Sequence, residues 1–113
     1  MNKEQALEIL QEKARELSER EDILLKCGQV GLSELTCVQR MLNFKVQDII
    51  RETPQSKIPD VLEMLERNLF DGIENNRDRR IPRLAELYSV ALDYFYEAKC
   101  AIYDYLLGKE NEY

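Results

Sequence analysis

The stretch Pro82-Arg83-Leu84-Ala85-Glu86-Leu87-Tyr88-Ser89-Val90-Ala91-Leu92-Asp93-Tyr94-Phe95-Tyr96-Glu97-Ala98-Lys99-Cys100-Ala101-Ile102-Tyr103-Asp104-Tyr105-Leu106-Leu107 decides the fold of this chain. Each helical residue turns about 100°. On that wheel Leu84, Tyr88, Ala91, Phe95, Ala98, Ile102 and Leu106 form one narrow stripe, widened by Leu87, Tyr94 and Tyr105 on one side and by Ala85, Leu92, Tyr96 and Tyr103 on the other. The apolar arc spans about 200°, twice what a surface helix needs to sit on a core. Such a helix must be covered from more than one direction. The remaining arc, Glu86, Asp93, Glu97 and Asp104, is acidic, so the helix faces water on one side and does not span a membrane. Two readings of the wide arc stand side by side. In one this helix is the centre of the domain's own bundle. In the other the Leu92, Tyr96 and Tyr103 flank meets a partner chain or a second copy, where a tyrosine ring buries area while its hydroxyl stays wet.

The chain around it has 113 residues, enough for one core and one domain, residues 1–113. It is 44% hydrophobic and 34% charged, which is globular composition. Four Gly and three Pro leave little punctuation for many strands. The formal net charge of −6 argues against non-specific binding of nucleic acid or an anionic membrane by the chain as a whole. The first residues lack the apolar core of a signal peptide, and no apolar run is long enough to span a bilayer, so the expected location is the cytoplasm. Cys27, Cys37 and Cys100 are odd in number and widely spaced, which suits ordinary thiols better than a disulfide framework or a zinc site. Cys37 falls on the outer face of its helix and is open to modification. There is no histidine, which removes His-assisted nucleophiles, the usual general base near neutral pH and most transition-metal sites.

In chain order, a first helix is expected over residues 3–26, capped by Asn2 with Gln5 three residues on as in a capping box, and stopped by Gly28. Leu7, Leu10, Ala14, Leu17 and Leu24 form its stripe, which Glu21 interrupts. That glutamate either snorkels at a fraying end or is a buried polar group that sets register. Ser33 is the expected cap of a second helix over residues 34–51, with a core stripe of Leu35, Val38, Leu42, Val46 and Ile49. Its opposite face carries Cys37, Met41 and Phe44, apolar enough to mark a partner-binding surface. Pro54 breaks the chain. Ser56 opens a third helix with the stripe Ile58, Val61, Leu62, Leu65, Leu69 and Ile73, expected to end between Asp71 and Glu74. Pro82 then starts the last helix. Four amphipathic helices with short connections imply an all-α fold, an antiparallel four-helix bundle with long first and last helices.

Chemistry is sparse. Arg77, Arg79, Arg80 and Arg83, with only Asp78 among them, make a basic segment at a helix N-terminus, a place suited to an anion. They serve either as a solvated loop paired with acidic neighbours or as a site for nucleic acid, a nucleotide or an acidic surface. Glu63 with Glu66, and Glu16 with Glu19, have the one-face spacing of carboxylates that hold Mg²⁺, but no second pair faces them. No glycine-rich phosphate loop or nucleophile arrangement occurs, so no cofactor, resident metal or catalytic residue is expected. The expected function is non-enzymatic: a small acidic regulator or adaptor that binds another protein, chaperone- or inhibitor-like, as a homodimer. Its contacts would be Leu92, Tyr96, Tyr103, Met41 and Phe44. The alternative is an anion- or nucleic-acid-binding regulator acting through the arginine segment.

Overall fold

Asn2 begins the first helix as its side chain dictates. In the computed structural model, which describes residues 1–78 and 80–108, Asn2 Oδ1 accepts from the Gln5 amide at 2.8 Å and Gln5 Oε1 accepts from the Asn2 amide at 2.9 Å. This reciprocal box satisfies two orphan donors and opens α1, Lys3–Lys26. Ala6, Leu10, Ala14 and Leu17 are its buried residues. Gly28 stops it at φ 76°, with the Gly28 amide donating to Leu25 O and the Gln29 amide to Leu24 O. These two bonds are a Schellman motif, whose left-handed position suits a residue without Cβ.

The second helix, α2, is Val30–Glu52 and begins four residues before the expected start. Ser33 does not cap it. That side chain is buried inside the first turns, and its hydroxyl donates to Glu21 O of α1 at 3.2 Å. Packing of this segment on α1 carries the helix past a residue that local preference would leave at the end. Leu42, Val46, Ile49 and Ile50 are buried, while Leu35 and Val38 are only half-buried. Two amides, Asn43 and Gln47, share the core. Glu21 is half-buried and held by Arg40, whose Nε donates to Oε2 at 2.8 Å. It is thus a cross-helix pair, and that hydrogen bond above all holds the Glu21 carboxyl below its ordinary range.

Thr53 and Pro54 end α2, and a short 3-10 turn, Gln55–Lys57, takes in the expected cap Ser56. The third helix, α3, is Ile58–Asp78 and runs through Gly72 beyond its expected end. Gly72 is not a stop here. A Cβ on it would lie 2.5 Å from the Tyr88 ring, and Asn76 Nδ2 donates to its carbonyl. The glycine serves close approach of a ring, and the helix continues beneath it. The end of α3 repeats the Schellman pattern: the Arg80 amide donates to Arg77 O at 3.0 Å and the Ile81 amide to Asn76 O at 2.8 Å. Its left-handed residue is Arg80, at φ 58°.

The last helix is shorter than expected. The fourth, α4, is Pro82–Ala101, and after a break at Ile102 (φ −115°, ψ 22°) a single turn, α5, covers Tyr103–Leu106. The break lets Ile102 and Tyr105 both enter the core, and Gln55 Nε2 donates to the Tyr105 carbonyl at 3.0 Å. The four main helices therefore have 24, 23, 21 and 20 residues rather than a long-short-short-long pattern.

The all-α helical bundle is what the chain forms; among the described residues there is no strand. Lys3 meets Arg51, Leu10 meets Asn43 and Glu21 meets Arg40, so α1 and α2 run antiparallel. Gly72 meets Tyr88 and Glu66 meets Tyr96, so α3 and α4 do too. Glu34 with Arg83, Asn43 with Tyr94 and Gln55 with Tyr105 show α2 and α4 running in the same direction. In a square up-down bundle these two helices would be diagonal. Here they pack together more than α2 with α3 or α1 with α4, so the bundle is squashed along that diagonal. The molecule measures 46 × 34 × 20 Å, with α1 and α3 on opposite flanks. No helix among the described residues is long and apolar enough to cross a membrane.

Candidate interaction surfaces

Squashing the bundle decides which expected contact residues reach the surface. Leu92 does not. It is 8% exposed and belongs to the main core cluster, because α4 is covered by both α2 and α3. Tyr96 and Tyr103 are exposed, but the break at Ile102 places them on different elements, so the three residues do not form one flank. Tyr96 packs edge-on against Phe95 and stands beside an open recess of about 370 Å³ between α3 and α4, lined also by Glu63, Glu66, Arg67 and Phe70. Partial burial first, and the facing Glu66 carboxylate second, push the Tyr96 hydroxyl above its ordinary pKa.

Met41 and Phe44 lie outward on α2, 63% and 45% exposed. Phe44 borders a groove of about 370 Å³ between α1 and α2, with Gln11, Ala14, Arg15, Ser18, Arg40 and Gln47 as its other walls. Sequence reasoning missed what fixes this groove from below. Asn43 Nδ2 donates to Leu10 O at 2.9 Å and to the Tyr94 hydroxyl at 3.0 Å. Gln47 Nε2 donates to Asn43 Oδ1, and Arg51 Nη2 to Gln47 Oε1 at 2.9 Å. This ladder runs from the core to the surface with no described buried side-chain N or O left unsatisfied. Burial is the main cause that raises the Tyr94 pKa. The signal was an i, i+4 amide pair, Asn43 and Gln47, each immediately after a core position, Leu42 and Val46.

The arginines do not act as one group. Arg83 is clamped by Glu34 at 3.1 Å, Glu86 at 3.0 Å and Gly31 O at 3.1 Å, and the two carboxylates raise its pKa. It pins the start of α4 to the start of α2. Arg77 pairs with Glu74 at 3.7 Å. Arg80 is exposed with no ion-pair partner among the described residues, and lines a recess of about 410 Å³ with Asn76, Arg77, Pro82 and Ala85. Arg79 lies outside the described residues. Around this same end, α1 and α2 expose Ile23, Leu25, Val30 and Leu32, and Ile81 and Leu84 are exposed at the start of α4, a grouping the sequence reading did not anticipate.

Among the described residues no three His, Cys, Asp or Glu side chains are grouped to hold a metal. Glu63 pairs with Arg67, and Glu66 faces Tyr96. Cys27 and Cys100 are exposed free thiols, and Cys37 is half-buried with Arg40 Nη2 at 3.6 Å from its sulfur. No protein-family model, curated protein or solved structure matches this chain.

Proposed function

We propose that this protein is a non-enzymatic interaction module, an adaptor or inhibitor that seats an amphipathic helix of another protein in the α1–α2 groove. The observation that carries the reading is Phe44, exposed at the rim of that groove with Met41 one turn away. Rings and thioethers at a groove edge are the anchors such helices use. Among groove residues Arg15 and Arg40 already hold Glu12, Glu19 and Glu21, so the site offers apolar contact with a balanced polar rim. The chain's acidity then favours partners with a basic flank. Location in the cytoplasm belongs to the same proposal.

The test is a photo-reactive side chain placed at Phe44, with a second at Asp48 as control, in cells that make the protein. A heterologous adduct that forms at Phe44, fails at Asp48 and is lost on Met41→Ser supports the reading. Equal, scattered labelling at both sites overturns it. The anion-binding alternative is weaker, because Arg83 is already held by two carboxylates, Glu34 and Glu86.

A further inference from the structure

We infer that two copies of this chain pair antiparallel along α3, with Phe70 on the twofold axis. The outward stripe of α3 is Asp60, Glu63, Arg67, Phe70, Glu74 and Arg77, at spacings of three and four. All six are exposed, Phe70 at 54%. A 3-4 repeat is the spacing at which one helix lies along another. Helix α3 sits on a flank of the squashed bundle and packs chiefly on α4, so its outer side has no helix over it.

The order of charges selects the occupant. Reading outward from Phe70, the stripe runs Arg67 then Glu63 in one direction and Glu74 then Arg77 in the other. A second α3 laid antiparallel about Phe70 brings Arg67 opposite Glu74 and Glu63 opposite Arg77, twice each by symmetry. A parallel pair brings like against like. The stripe is therefore self-complementary in only one of the two directions, as an isologous twofold contact requires. Within the chain these four charges pair only along α3, Glu63 with Arg67 and Glu74 with Arg77, and none has a partner on another helix among the described residues. The recess between Phe70 and Tyr96 lies beside the axis and receives the ring of the second copy. From Glu63 to Arg77 the seam is about 21 Å long at 1.5 Å per residue. A seam one helix wide and this short makes a weak contact, so the dimer should dissociate at about micromolar concentration or above.

This inference goes beyond the α1–α2 groove reading by naming a separate surface, used between copies. The experiment is sedimentation equilibrium of the full chain from below to well above micromolar concentration, with circular dichroism to verify folding of each variant. The wild type should shift from monomer to dimer, Phe70→Glu and Arg67→Glu should each stay monomeric, and Arg67→Glu combined with Glu74→Arg should regain the dimer. A wild type that stays monomeric throughout overturns the inference. So does a dimer that survives Phe70→Glu, or a double variant that fails to recover what Arg67→Glu lost. None of these outcomes bears on labelling at Phe44, so the two readings fail separately.

Discussion

Arg80 shows how one residue can oppose the motif it completes. It occupies the left-handed position of a Schellman turn at φ 58°, where α1 uses Gly28. A side chain with a Cβ costs roughly 1–2 kcal/mol in that region. Arg80→Gly should therefore stabilise the fold by about 1 kcal/mol and raise Tm by a few degrees, read from thermal unfolding. The stop at Gly28 was legible because glycine announces it. The stop at Arg80 was not, since nothing in an arginine signals a positive φ. Glu21 is the other decisive single residue. Its carboxyl is held low by Arg40, so the pair contributes above the ordinary glutamate value of about 4.3 and is lost as pH falls through and below it. Glu21→Gln should lower the urea midpoint at neutral pH, with the gap to wild type closing on acidification. A gap that is unchanged in acid would show that the ion pair is not its source.

At the scale of elements, side chains from a neighbouring helix override local preference. Glycine within a helix ordinarily costs about 0.5–1 kcal/mol relative to alanine. In α3 the sign should reverse, because a Cβ at Gly72 collides with the Tyr88 ring. Gly72→Ala should destabilise by about 1 kcal/mol, and any gain in stability would mean the ring moves aside freely. Asn43 links α1, α2 and α4 through Leu10 O, Gln47 and the Tyr94 hydroxyl. Removing it takes the buried partner from the Tyr94 hydroxyl and from Gln47 Nε2, so Asn43→Ala should cost on the order of 2–4 kcal/mol in urea unfolding. The capping box of α1 could be read directly from Asn2 and Gln5. The true start of α2 could not, because Ser33 looks like a cap but bonds to the carbonyl of Glu21, twelve residues back on α1.

At the scale of the whole molecule, the close packing of α2 on α4 ranks the stability of its parts. Both central helices are covered by neighbours on two sides, whereas α1 and α3 lie on the flanks. Amide hydrogen exchange should accordingly be slowest around Val46, Gln47 and Ile50 of α2 and Phe95 and Ala98 of α4, all essentially buried, and faster along the outer turns of α3. Equal protection of α3 and α4 would contradict that ranking. The same arrangement decides which apolar side chains are free. Leu92 is withdrawn into the core, while Met41, Phe44 and Phe70 remain outside.

The sequence by itself determined that the chain is all-helical, where α1 begins and ends, and that its last long helix is covered from several directions. These follow from 3.6-residue periodicity, caps and glycine stops, which act within a few residues of one another. Only the tertiary structure decided that Leu92 is core, that Asn43 and Gln47 are inside, that Arg83 is spent on Glu34 and that the α3 stripe faces outward. Each of those depends on which helix lies across from which, at separations of some 50 residues along the chain for Asn43 with Tyr94 and Glu34 with Arg83. The wide apolar arc of the last helix suits a central helix first and an interface helix second. Its partners in the fold, α2 on one side and α3 on the other, are what distinguish the two.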